Sequence, residues 1–254
     1  MANGEPYSPR APRIFLDEAD AIRADRVSVH GSQVHRLFRV LKLRRGDWLE
    51  VIHGKRLLRC EVQLATPETV EAAVRETRAV TPEPSPWVML CPSVIRAARF
   101  DLVVEKATEL GVHGLQPVLA TRSLAAAERK DRPARWRRLI TEATEQCRRE
   151  QRPELLPPLD LVALATAPVR PGTVRVFASE RESTRRITDV LDTAVDLTRV
   201  EILIGPEGGF TASEVEAVLG NGWQPVTLGP RPLRPETAAV VATALVQEAL
   251  LRRI

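Results

Sequence analysis

The sequence predicts an α/β protein in two parts, and three observations carry that expectation. Short strand-like runs at close spacing fill residues 1–80, the pattern of a small β-barrel. Thr81-Pro82-Glu83-Pro84-Ser85-Pro86 then places three prolines in six residues, which no regular element accommodates. Beyond it, strands alternate with helices through residues 81–254, as in a mostly parallel sheet covered by helices. The expected domains are therefore 1–80 and 81–254.

A chain of 254 residues can bury one large core or two of ordinary size. With 44% hydrophobic and 28% charged residues it has the composition of a soluble globular protein. The formal charge of +4, carried mostly by arginine, suits a nucleic-acid partner but is shared by many soluble enzymes. Cys60, Cys91 and Cys147 are far apart and show no metal-ligand spacing, so buried or free thiols in a reducing cytosol are expected, and no metal. The segment MANGEPYSPRAPR lacks the apolar core of a signal peptide, and no run reaches membrane-spanning length. A cytoplasmic location is expected.

In chain order, residues 1–13 read as a loose tail and Arg13–Leu16 as a first strand. The spacing over Val34–Leu43 predicts a helix with Val34, Leu37, Val40 and Leu41 on one face, and His35, Arg36, Arg39 and Lys42 on the others. Trp48–Ile52 and Leu57–Val62 form a hairpin about His53-Gly54-Lys55-Arg56, and Val70–Val74 adds a strand. After the proline break come a strand at Trp87–Cys91 and a helix over Arg99–Leu110 closed by Gly111. A strand at Leu115–Leu119 follows, then a long helix over Arg132–Arg149 with Asp131 and Pro133 at its start. Val174–Ala178 and Val200–Ile204 are further strands, and a last helix runs from about Thr237 to Arg252.

Residues 201–240 carry the strongest signal for function. Ile204 ends one apolar run and is followed by Gly205-Pro206-Glu207-Gly208-Gly209; Leu228 ends another and is followed by Gly229-Pro230-Arg231-Pro232-Leu233-Arg234. Ligands of open α/β sheets sit at the carboxyl ends of strands, and glycine there allows close backbone approach with free N–H donors. Two such loops suggest one pocket with two walls. Gly205, Gly208, Gly209 and Gly229 would supply backbone, and Ile204, Leu228 and Leu233 apolar surface. A phosphate loop fits poorly, because no Gly-Lys-Ser/Thr follows and Glu207 would repel phosphate.

These residues resemble the RsmE family. The resemblance rests on Ile204–Phe210 and Leu228–Ala238, on Glu105–Val112 and Glu142–Arg149, and on His35–Leu43 with Gly46-Asp47, five blocks in the family's order over nearly the whole chain. It implies an amino-terminal PUA-like RNA-binding β-barrel and a carboxyl-terminal SPOUT methyltransferase domain with a deep trefoil knot near the C-terminus, a topology no pattern argument would propose. It further implies S-adenosyl-L-methionine as methyl donor, N3 of one uridine in the 16S rRNA of the small ribosomal subunit as target, and a homodimer with the active site near the subunit interface.

For such a reaction a proton acceptor must take the imide proton of N3, and a cation must stabilise charge on O2 or O4. Arg234 is the candidate cation and a donor contact, and Glu236 is the candidate acceptor or the group that orients Arg234; a carboxylate there also suits a helix start. Glu207 is expected to touch the donor or to cap the helix beginning near Ser213. His35, Arg36, Arg39 and Lys42, with Arg148 and Arg149, are the candidate RNA contacts; a solvated face, or a helix carboxyl end that favours cations, would use the same residues. Pro232 and Pro235 depart from the family's loop, stiffening it and removing two N–H donors, and Arg96 stands where a lysine is usual. Two alternatives remain open at this point: a SPOUT enzyme acting on another RNA or atom, such as a ribose 2′-hydroxyl, and a non-catalytic RNA-binding or ribosome-assembly protein.

Overall fold

The computed structural model describes residues 11–17, 22–23, 25–123 and 132–253. Residues 1–10 of the expected tail, and Asp131, lie outside the described residues, whereas Ala11 and Arg13 are buried and Arg13 opens the first strand, so the tail does not extend to residue 13. The chain forms two compact units, Met1–Pro82 with Glu145–Gln151, and Glu83–Thr144 with Arg152–Ile254.

The first unit is built on β1 (Arg13–Phe15), β2 (Ile22–Arg23), β3 (Arg26–Val29), β4 (Trp48–His53), β5 (Arg56–Ala65) and β6 (Val70–Ala79). They pair in the order β1-β4-β5-β6-β3-β2, antiparallel except for β1 beside β4. Register shifts at Arg59/Cys60 and Val62/Leu64 bend the long β5–β6 ribbon, as bulges do. One face buries Ile14, Val27, Leu49, Val51, Leu58, Cys60 and Val62. Burial pushes the Cys60 thiol up to about 12, so it is an inert core residue. β6 runs five residues past the expected Val74, because Arg75 and Glu76 pair across the ribbon with Glu61 and Arg59.

Val34–Leu43 does not form the regular helix expected. α1 (Ser32–His35) gives way to a π-helical turn, Arg36–Val40, in which Leu41 N–H donates to Arg36 O and Leu43 N–H to Leu37 O. The wider turn rotates the pattern, so Val34 and Leu37 stay buried while Val40 is 64% and Leu41 40% exposed. Lys42 closes the turn at φ 54°.

Residues 145–151 complete this unit by supplying charge partners. Glu50 is 1% exposed and accepts from Arg13 Nε and Nη2 at 2.9 and 2.6 Å and from Arg148 Nη2 at 3.0 Å. Arg148 also donates to Ala11 O at 2.9 Å. Glu145 accepts from Phe15 N–H at 3.0 Å and pairs with Arg36. Glu150 takes the Arg78 fork at 2.5 and 2.8 Å and Thr81 N–H at 2.6 Å.

The second unit holds a parallel sheet in the order β10-β8-β7-β13-β12-β14. Its strands are β7 (Trp87–Pro92), β8 (Gly114–Leu115), β10 (Glu154–Leu155), β12 (Thr173–Ala178), β13 (Arg199–Ile204) and β14 (Gln224–Val226); β9 (Val118–Leu119) pairs separately with β11 (Leu159–Asp160). The single strand expected at Leu115–Leu119 is thus two short ones, interrupted at Gln116-Pro117, where proline cannot donate to a ladder. The helices are α2 (Ala97–Glu109), α3 (Arg132–Gln146), α4 (Leu161–Thr166), α5 (Ile187–Asp192), α6 (Ala212–Gly220) and α7 (Pro235–Leu251). α3 stops before the expected Arg149 because Arg148 takes a left-handed φ of 63°.

Alternate strand residues divide between two cores, the arrangement of a parallel sheet covered on both faces. Val88, Leu90, Val176, Ile202 and Ile204 face α2, α3, α5 and α7, where Phe100 and Trp136 lie 4.5 Å apart between ring centroids. Met89, Cys91, Phe177 and Leu203 face α4 and α6 and the buried Trp223. Gly111 ends α2 at φ 87° and its carbonyl accepts from Gln247 of α7 at 2.9 Å. His113 Nδ1 accepts from Val88 N–H at 3.0 Å, so its proton sits on Nε2 and is donated to Pro84 O at 2.8 Å.

Hydrogen bonding by Arg78 draws the Glu150 carboxyl down to about 2, below its ordinary 4.5. Between those values the unfolded chain binds more protons, so this contribution to stability is complete above about 4.5 and is lost as pH falls toward 2. Glu150→Gln is expected to lower the urea midpoint at neutral pH and to flatten its decline in acid, as a series of urea melts from neutral pH downward would record.

Candidate active site

The site lies at the carboxyl ends of three neighbouring strands, β13, β12 and β14. After Ile204 the chain turns at once, with Gly209 N–H donating to Pro206 O at 2.9 Å and Gly209 at φ 65°. Phe210 then leads into α6, whose N-cap is Thr211 in a capping box with Glu214. Glu214 accepts from Thr211 N–H and from Thr121 N–H, each at 2.7 Å. Burial pushes its carboxyl up, but these N–H donors outweigh that effect and hold it below the ordinary value. Glu214 is therefore the capping acid, and Glu207 is left for other work.

The second wall follows β14. Gly229 N–H donates to Thr227 Oγ1 at 3.2 Å, and Gly229 stands at φ 124°, a backbone that L side chains rarely adopt. Pro230, Pro232 and Pro235 stiffen the path into α7, with Arg234 as N-cap and Pro235 at the first helical position. A third wall, which periodicity does not reveal, is the segment Ala178–Arg181 after β12. Ser179 N–H donates to Val226 O at 3.0 Å and Thr227 N–H to Arg185 O at 2.8 Å, so this segment and the second wall are laced together. Glu182, held at about 2 by the N–H groups of Arg185 and Thr184, fixes the turn between them.

These walls enclose a cavity of about 480 Å³, within the range of small-molecule sites. Ile204, Gly205, Glu207, Gly208, Gly209, Leu228, Gly229 and Leu233 line it, with Phe177, Pro235 and Ala238. Arg122 also lines it and donates to Gly208 O at 2.8 Å. At Gly208 an added Cβ would meet Arg122 Cβ at 3.2 Å, a tight contact that the Arg122 side chain would have to shift to relieve. Among the described residues, no group of three or more His, Cys, Asp or Glu could hold a metal ion.

Arg234 and Glu236 are not in the cavity wall. Arg234 is exposed and its side chain makes no capping bond. Glu236 is 8% exposed, and its nearest cation is Arg99 of α2, with Nε 3.6 Å from Glu236 Oε1. Arg99 Nη1 lies 3.5 Å from Glu207 Oε1. Sequence reasoning missed Arg99, Arg122 and Arg181; the last two follow strands Val118–Leu119 and Thr173–Ala178, a signal that becomes usable once strand order is known. In the first unit His35, Arg39 and Lys42 are exposed, whereas Arg36 and Arg148 are engaged by Glu145 and Glu50.

An RNA methyltransferase domain family matches residues 81–247. Ribosomal RNA small subunit methyltransferase E from Mycobacterium tuberculosis is 31% identical over 229 residues, covering 86% of this chain and 84% of its own. The chain belongs to this methyltransferase E family. The Bacillus subtilis member is 27% identical over 94% of this chain and 97% of its own. A crystal structure of the Neisseria gonorrhoeae member bound to S-adenosyl methionine is 26% identical, covers 94% of this chain and 98% of its own, and superposes with a TM-score of 0.81.

Gly229 tests the second wall of the cavity. Gly229→Ala meets no neighbour within 4 Å but must hold φ 124°, at a cost of about 1–3 kcal/mol. It is expected to lower the melting temperature and weaken ligand binding in calorimetry. Gly220→Ala, in open space without a left-handed φ, should do neither.

Proposed function

We propose that this chain transfers the methyl group of S-adenosyl-L-methionine to N3 of one uridine in the 16S rRNA of the small ribosomal subunit. The observation that carries this reading is the cavity between Gly205–Gly209 and Leu228–Leu233, because its chemistry matches the donor. An adenosyl group suits apolar walls such as Ile204, Phe177, Leu228 and Leu233, and its polar atoms suit backbone groups freed at glycines. Ile204, Gly205, Glu207, Gly208, Gly209, Leu228, Gly229 and Leu233 would hold the donor, which supplies an electrophilic methyl carbon.

The protein's part is to bind the uracil in line with that carbon, accept its proton and neutralise its charge. The imide N–H is a weak acid in the free base and becomes far stronger as N3 gains the methyl group, so an anionic, well-placed carboxylate suffices. Glu236 is that acceptor in this reading, and Arg234, exposed one turn-start before it, is the cation for O2 or O4.

The first unit serves as a PUA-like RNA-binding barrel, supported by its curved six-stranded sheet and by the exposed His35, Arg39 and Lys42. Arg149 is a further candidate contact. The second unit is a SPOUT domain whose end is knotted. The lacing of residues 179–186 to 226–227, followed by the return of α7 to β7, β13 and α2, supports that topology. A homodimer completes the site, with the exposed Leu102 of α2 and Leu245 of α7 available to a second copy. A substrate in the ribosome places the protein in the cytoplasm; no helix among the described residues is long and apolar enough to cross a membrane.

Labelled S-adenosylmethionine incubated with unmethylated small subunits is expected to yield N3-methyluridine on nucleoside analysis. Label on a ribose oxygen or another base would refute the N3 assignment. Failure to bind the donor at all would refute enzymatic function. Glu236→Gln should keep donor affinity and lower single-turnover transfer by about 100-fold or more.

A further inference from the structure

Glu236 presents an unfinished interaction. It is a carboxylate only 8% exposed, and such a group is costly to bury unless charge and hydrogen bonds compensate it. One oxygen, Oε1, faces Arg99 Nε at 3.6 Å, while the other, Oε2, has no hydrogen-bond partner. Arg99 sits in the first turn of α2 and reaches two separate parts of the site. Its Nη1 is 3.5 Å from Glu207 in the loop after β13, and its Nε faces Glu236 at the start of α7. Both distances exceed hydrogen-bond length, so the fork holds the carboxylates by charge and has slack to tighten when a ligand enters.

We propose that Arg99 is a positioning residue for methyl transfer: it fixes the Glu236 carboxylate through Oε1, and it couples that placement to the donor loop through Glu207. The inference rests on the methyltransfer reading above. The step balances. As N3 forms its bond to the methyl carbon, the S–C bond breaks with its electron pair left on sulfur, and the N3 proton passes to the Glu236 carboxylate. The products are the N-methylated base, the neutral thioether and a neutral Glu236. Arg99 keeps Glu236 oriented beforehand. A lysine at position 99 would be a point charge able to serve one carboxylate at a time, whereas the guanidinium serves two.

The test is a double-mutant cycle in single-turnover methyl transfer to small subunits, with donor affinity measured by calorimetry and folding by thermal melts. Arg99→Ala should slow transfer about 100-fold, the scale of a misplaced reacting group, with donor affinity changed only a few-fold. Arg99→Ala combined with Glu236→Gln should be no slower than Glu236→Gln alone, because the arginine acts through the glutamate. If the alanine variant melts without cooperativity, Arg99→Lys serves instead, with a loss of about tenfold and the same non-additivity. Losses that multiply in the double variant, or transfer at the wild-type rate in either single Arg99 variant, would overturn the proposal. Wild-type protein that binds the donor yet transfers nothing would remove the methyltransfer reading and this inference together, an outcome distinct from active Arg99 variants.

Discussion

The pairing of β14 with β12, rather than with its chain neighbour β13, is the constraint on which the site depends. It places the ends of β13, β12 and β14 side by side, in the order β13-β12-β14. It also forces the segment after β14 to run beside the segment after β12, where Ser179 and Thr227 donate backbone hydrogen bonds across the gap. Loops that follow different strands therefore become facing walls. The cavity follows from sheet order as much as from glycine content.

Charge is used differently in the two units. In the first, Glu50, Glu145 and Glu150 are saturated by arginines and backbone N–H groups, and they act as rivets. In the second, Glu214 is likewise saturated and caps α6, while Glu207 and Glu236 share one loosely held guanidinium. Glu207 and Glu236 differ from those four in facing their cation only beyond hydrogen-bond length.

Much of this was legible in the sequence where local chemistry decides structure. The runs ending at Ile204 and Leu228, each with a glycine turn behind it, read as strand ends and lie in the cavity wall. Reading fell short where distant residues decide. The third wall at Ala178–Arg181 requires knowledge that β12 lies between β13 and β14. Arg99 is unremarkable in α2 until α7 packs against that helix. Val40 and Leu41 fit a 3.6-residue period, yet the π-helical turn moves them outward. β6 continues through Arg75-Glu76-Thr77-Arg78, a polar run that only its partners on β5 make strand-like.

The central claim is that the three walls form one donor site. A crystal structure of the chain with S-adenosylmethionine tests it most directly. The account predicts the ligand between Gly205–Gly209, Leu228–Leu233 and Ala178–Arg181, with its adenosyl group against Ile204 and Leu228. Density for the ligand elsewhere on the chain, with this cavity filled by solvent, would contradict it.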